Sequence, residues 1–240
     1  MSLAIQHLVW DSDFFGFPVT RLECNRTSRS ALAQVINSCL VSGVRLVYLF
    51  VHPDDKESVL ATHFVGAKLV DRKVTYVMSL LSSTLNLITT PASIVLANQL
   101  TSRLESLAWQ SGEYSRFRLD TSFSNELFKR LYSQWLLNSH NGTIAQAVLV
   151  FQQDKNEIGL LTLGEKNGRA DIGLLAVDKM ARGQQVGQQL IHEAQRIAVS
   201  RNYSELQVVT QLDNLIACRF YEKYGFKLIH EEHIYHLWLR

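Results

Sequence analysis

One stretch constrains this chain more than any other: Val177-Asp-Lys-Met-Ala-Arg182-Gly183-Gln184-Gln185-Val186-Gly187, an apolar strand that passes through a glycine-containing turn into a helix. Upstream, Arg169 to Val177 reads as strand; downstream, Val186, Leu190, Ala194 and Ile197 recur at helical spacing within Gln185 to Ser200. The first turn of such a helix offers N–H groups with no intrahelical partner and the positive end of the dipole, and glycine lets the backbone approach a ligand closely. A pyrophosphate suits that geometry, each charge-assisted hydrogen bond contributing about 1.5 to 3 kcal/mol. Taken alone, the run reads better as a tight strand-to-helix turn shaped by Gly183 and Gly187.

A second run narrows the choice. In Asn214-x-x-Ala217-x-x-Phe220-Tyr221-x-Lys223-x-Gly225-Phe226, helical spacing aligns Asn214, Ala217 and Tyr221 on one face, so that a polar side chain, a small gap and a phenol stand in a row. Tyr221 alone could equally be a core aromatic. Cys218, beside it, reads as a small buried thiol.

The rest of the chain alternates helix and strand, the pattern of an α/β protein with a mixed sheet. Helix is expected over Ala31 to Leu40, Glu57 to Phe64, Leu100 to Ala108, Asn125 to Leu137 and Asp213 to Tyr224, and strand over Val44 to Val51, Lys68 to Leu80, Ser93 to Leu96 and Glu205 to Thr210. Ala145 to Gln152, Ile158 to Gly164 and Arg169 to Val177 read as an antiparallel meander, and Gln110 to Ser124 as a loop. A polar break at Ser82-Ser83-Thr84 suggests two domains, 1–85 and 86–240. Gly66-Ala-Lys-Leu-Val-Asp, with Tyr76 ten residues on, parallels Gly225-Phe-Lys-Leu-Ile-His with Tyr235 ten residues on, which fits either a half-domain duplication or chance recurrence.

Composition excludes several classes. A net charge of +2 from 24 basic and 22 acidic residues is too balanced for a nucleic-acid or anionic-membrane binder. The cysteines, Cys24, Cys39 and Cys218, are few and widely spaced, against a disulfide framework or a structural zinc site, and no metal is expected. With neither a signal peptide at Met1 to Asp13 nor an apolar run approaching about 18 residues, the expected location is cytoplasmic.

Together the two runs resemble the GNAT superfamily of acyl-CoA-dependent N-acetyltransferases, whose pattern Val177, Arg182, Gly183, Gly187, Asn214, Ala217, Phe220, Tyr221, Lys223, Gly225 and Phe226 match in order. Gln185 departs from it, standing where the family usually has glycine. The resemblance implies a sheet splayed in the middle, with acetyl-CoA in the splay and no metal. Its pyrophosphate would meet Arg182, Gly183, Gln184, Gln185, Val186 and Gly187, its pantetheine would pair with the backbone at Leu175 and Val177, and Asn214, Ala217, Phe220 and Lys223 would complete the site. Tyr221 would be general acid to the departing thiolate, its phenol being protonated at neutral pH.

Three further stretches, Leu8 to Gly16, Ser115-Arg116-Phe117-Arg118 and Ile172 to Ala176, are similar to bacterial nucleotide-sugar N-acetyltransferases. That resemblance makes 1–85 a partial GNAT-like domain beside a catalytic domain at 86–240. The acceptor becomes the amino group of a TDP-linked amino-dideoxy sugar met by Phe15, Arg116, Phe117 and Arg118, with Asp71 as candidate general base. Read as plain residues, the two arginines could be solvated, Phe117 a core anchor and Asp71 a surface aspartate at a strand end. Two other functions stay open, a GNAT acting on another amine (a peptide N-terminus, a polyamine or an antibiotic) and a non-catalytic acyl-CoA sensor. Oligomeric state, a homodimer included, is open as well.

Overall fold

The structure is a computed structural model that describes residues 3–80 and 93–240; the boundary expected at Ser82 to Thr84 lies outside those residues. The fold is mixed α/β, and the chain divides into two compact units, Met1–Val74 with Gln211–Asp213 and His230–Arg240, and Thr75–Thr210 with Asn214–Ile229.

The first unit holds β1 (Ile5–His7), α1 (Val9–Phe15), β2 (Val19–Cys24), α2 (Arg29–Val41), β3 (Leu46–Val51), α3 (Lys56–Phe64), the start of β4 (Lys68–Ser79) and the end of β10 (Lys227–Trp238). Its strands are ordered β1-β2-β3-β10-β4, with β2 parallel to β3 across α2 and β10 antiparallel to β3. All six residues of β3 are buried, as expected of a strand covered on both faces. One side of this unit's core collects Leu22, Leu32, Val47, Leu49, Ala61 and Tyr235. The sequence reading assigned no element before Ala31. α1 is short, ends on the left-handed Gly16, has no side-chain cap and buries no residue, so it leaves almost no amphipathic signature.

The second unit holds β5 (Ile94–Leu96), α4 (Ser102–Ser111), α5 (Arg116–Leu119), α6 (Asn125–His140), β6 (Ala147–Gln153), β7 (Asn156–Lys166), β8 (Arg169–Val177), α7 (Val186–Ser200), β9 (Glu205–Gln211) and α8 (Leu215–Lys223), in the strand order β4-β9-β8-β7-β6-β5. The expected meander is present: β6, β7 and β8 pair antiparallel in succession. The expected loop from Gln110 to Ser124 contains the one-turn α5. Leu104 and Leu107 of α4, Leu131 and Leu136 of α6, and Leu190 and Ile191 of α7 are buried. Burying each such leucine contributes about 1.5 to 3 kcal/mol.

Helix starts follow local chemistry. Ser28, Asp55, Thr101, Ser124 and Asn214 each cap the following helix by accepting a backbone N–H three residues on. α7, fifteen residues long, has no side-chain cap. The paired glycine runs of the sequence occupy matching local positions, since Gly66 and Gly225 both take positive φ between a nine-residue helix and a twelve-residue strand. No helix among the described residues is long and apolar enough to cross a membrane.

Candidate active site

The site grows from a divergence of two strands. β8 and β9 pair in parallel only from Ala170–Leu206 to Ile172–Val208, although both strands continue for several residues. Immediately past that point the register between β7 and β8 shifts between Leu161 and Leu163, and the Thr162 hydroxyl accepts the Leu174 N–H at 2.8 Å. This bulge, at Gly173 and Leu174, bends β8 as its parallel pairing with β9 ends. Asp178 N donates to Ile158 O on β7 at 2.8 Å. Alternation along the strand therefore turns the N–H and C=O of Val177 and Leu175 toward the opposite, open edge.

Along that edge lies a cleft of about 560 Å³, walled by Leu175 to Val177, by Arg182, Gly183 and Gln185 to Gln188, by Asn214, Ala217, Phe220, Tyr221 and Lys223, and by Gln110, Ser111, Glu113 and Tyr114 of α4 and its exit loop. Every coenzyme residue expected from the sequence lines it except Gln184, whose carboxamide instead donates to Met180 O at 3.2 Å.

The turn into α7 is built from two left-handed residues, Gly183 at φ 80° and Gln185 at φ 63°. Gln185 thus takes the conformation usually left to glycine, at a cost of about 1–2 kcal/mol. No side chain caps α7, and its first residues, Val186 to Gln188, line the cleft together with Arg182, which is exposed. Gly187 has a different task from Gly183. It lies inside α7, where an added Cβ would stand 3.1 Å from Phe220 Cζ and 3.5 Å from Val177 Cγ2, so it permits close packing instead of a turn.

On the opposite wall Asn214 is the N-cap of α8, its Oδ1 accepting the Ala217 N–H at 3.2 Å. The sequence reading aligned it with Ala217 and Tyr221, and all three line the cleft, but part of its hydrogen-bonding capacity is committed to the helix. Tyr221 is buried at 5% exposure, its ring packed against Tyr76, Phe220 and Phe226. Burial, and secondarily the neighbouring Cys218, pushes its phenol well above the ordinary range, so it remains a proton donor. Tyr76 is fixed in turn by donating to Glu222 Oε1 at 2.9 Å.

Of the residues expected on the acceptor side, Phe15 and Asp71 belong to the first unit and Arg116, Phe117 and Arg118 to the second. Phe117 is a buried anchor against Phe123 and Trp135, and Arg116 lies over its ring. Arg118 donates to Asn125 Oδ1 at 2.6 Å and covers Phe128. Phe15 ends α1 in the first unit, packed on Phe14 and Phe17. Asp71 is no surface residue at a strand end. It is buried at 7% exposure within the twelve-residue β4, three residues past the exposed start of the strand at Lys68.

A residue absent from the sequence reading is Asp171. It lines a pocket of about 400 Å³ beside β8, together with Trp135, Ser139, Thr162, Glu165, Lys166, Gly173 and Leu174. Its Oδ1 accepts from Gln207 Nε2 at 2.8 Å, and burial raises its carboxyl above the ordinary range against the lowering effects of Gln207 and Lys166. An acidic residue in an otherwise apolar strand was the signal available to sequence reasoning.

Residues 97–226 match the model of the Acetyltransferase (GNAT) family. The chain belongs to that family. Membership carries the family's chemistry, acetyl-CoA-dependent N-acetyl transfer. This GNAT protein is 27% identical over 224 residues to the dTDP-fucosamine acetyltransferase of Escherichia coli, covering 92% of each chain. It is 26% identical over 132 residues to the spore coat polysaccharide biosynthesis protein SpsD of Bacillus subtilis, a match spanning 55% of this chain and 45% of that one. Among solved structures, a GCN5-related N-acetyltransferase from Sphaerobacter thermophilus shares the fold with a TM-score of 0.63 at 13% identity, over all of this chain and 77% of the other. The cleft fits the family's coenzyme, since an open strand edge meets an uncapped helix start with Arg182 and Lys223 alongside.

Proposed function

We propose that this GNAT protein moves acetyl from acetyl-CoA to the amino group of a TDP-linked amino-dideoxy sugar, with 1–85 a partial GNAT-like domain and 86–240 the catalytic domain. The observation that carries the reading is the cleft that Tyr221 lines together with Leu175 and Val177 of β8. Similarity to the E. coli dTDP-fucosamine acetyltransferase along 92% of both chains supports the choice of acceptor.

Acetyl-CoA supplies the activated thioester. The N–H groups at the start of α7, with Arg182 and Lys223, hold its pyrophosphate, and the edge groups of Leu175 and Val177 take its pantetheine arm as an added strand. The neutral amine attacks the thioester carbon, and a backbone N–H of the same edge stabilises the oxyanion. As the C–S bond breaks, Tyr221 gives its proton to the leaving thiolate and is reprotonated from solvent. The proton lost by the amine passes through water to a carboxylate. Asp71 is the candidate from sequence. Asp171 is favoured by its place in the pocket along β8 and by its raised carboxyl, which brings a base closer to neutral pH. Phe15, Arg116, Phe117 and Arg118 are assigned to the acceptor by resemblance alone.

The test is thiol release when the protein meets acetyl-CoA and TDP-4-amino-4,6-dideoxygalactose. Stoichiometric release with acetylated product supports the proposal. Silence at millimolar substrate, with release on another amine, would move the assignment to a different acceptor; coenzyme binding without turnover on any amine would make the protein a sensor.

A further inference from the structure

The open edge of β8 is not bare. Val177 O, directed away from β7, accepts the side-chain amide of Gln110 at 2.6 Å and the Arg182 Nε–H at 3.4 Å. Gln110 comes from the last turn of α4 and is itself part of the cleft wall. Because Val177 O can only accept, the short contact must use the Gln110 amide N–H, whichever way the carboxamide is otherwise turned.

A strand carbonyl whose neighbour has diverged needs a donor. In the protein alone Gln110 provides one, and it provides the same chemical group, an amide N–H, that an acyl-pantetheine arm lying against Leu175 and Val177 would bring to that edge. The carbonyl has two lone pairs, and the two side chains address both. Arg182 is the longer and exposed contact, drawn toward an anion. The short, neutral contact of Gln110 is the one that competes with the arm for space and for the acceptor.

We infer that Gln110 is a placeholder for a pantetheine amide: it satisfies Val177 O in the free protein and is displaced when the coenzyme enters. The inference rests on the reading of this cleft as the acyl-CoA site. Its consequence is that deleting the Gln110 donor tightens coenzyme binding, where loss of an ordinary contact residue would weaken it. The competition involves the pantetheine arm only, so ligands that stop at the phosphates do not feel it.

The experiment is calorimetric titration of wild type, Gln110→Met, which keeps length and volume without a donor, and Gln110→Ala. The ligands are coenzyme A and adenosine 3′,5′-bisphosphate, which lacks the arm. Expected is an affinity for coenzyme A about 2- to 10-fold tighter in both variants, the span of one net hydrogen bond, with the bisphosphate affinity unchanged. Unchanged or weaker coenzyme A binding in variants whose thermal unfolding stays cooperative overturns the inference, as does an equal shift for both ligands. If wild type does not bind coenzyme A, the reading of the cleft fails first and the inference with it; if wild type binds and the variants do not tighten, only the inference fails.

Discussion

Gly187 at the start of α7 and Phe220 on the wall helix α8 stand so close that a Cβ on Gly187 would lie 3.1 Å from Phe220 Cζ and 3.4 Å from Cε2, near enough that the ring must give way by a few tenths of an ångström. Phe220 cannot yield easily, being packed edge-on against Tyr221 and Tyr224. Gly187→Ala should therefore cost about 1–3 kcal/mol by overpacking, read as a lower urea midpoint. It should also raise the KM for acetyl-CoA, because the wall that shifts belongs to the cleft proposed for the coenzyme.

The turn before α7 makes a separate prediction. Gln185 holds φ 63° without a glycine's freedom. Gln185→Gly relieves the left-handed strain but loosens the unfolded chain, and the two effects nearly cancel, so stability should change by less than about 1 kcal/mol. Gln185→Val, β-branched in the same conformation, should destabilise by about 1–2 kcal/mol or more. Thermal unfolding of the pair checks the order; a valine variant as stable as the glycine one would mean that the turn is not left-handed at this residue.

Asp171 makes the stability of the protein depend on pH in a defined direction. Burial raises its carboxyl above the ordinary range, so the folded state prefers the proton more than the unfolded chain does. The stabilisation from holding it is complete below the unfolded value of about 4 and is lost as pH climbs through the raised folded value. Asp171→Asn keeps an acceptor for Gln207 and never ionises. Its urea midpoint should exceed that of wild type at pH 7, and the difference should vanish at acid pH. A variant less stable than wild type at pH 7 would contradict this.

The lining of the cleft was legible in the sequence because its signals are local. The turn glycine Gly183 lies just before α7, and the small Ala217 and the aromatic Phe220-Tyr221 pair lie within the nine residues of α8, where spacing alone sets which residues share a face. Features that depend on pairing between distant segments were not legible. The Thr162–Leu174 bulge needs the register of β7 on β8, and the Gln110–Val177 contact joins residues 67 apart in sequence. For Asp71 the sequence leaves a general base and a surface aspartate at a strand end both open, and its burial within β4 depends on packing that local sequence does not carry. Gln185 was recognised as irregular, but its backbone could not be read from a residue type that seldom adopts positive φ.

Tyr221 carries the central claim, because it separates catalysis in this cleft from binding alone. Tyr221→Phe removes one oxygen from a buried ring and leaves the contacts with Tyr76, Phe220 and Phe226 in place. The decisive measurement is kcat for thiol release beside the acetyl-CoA dissociation constant, in wild type and in this variant. The account predicts a kcat lower by about 10²- to 10⁴-fold, the usual contribution of a positioned acid, with coenzyme affinity unchanged within about threefold. An unaltered kcat, or a loss confined to coenzyme affinity, would contradict it.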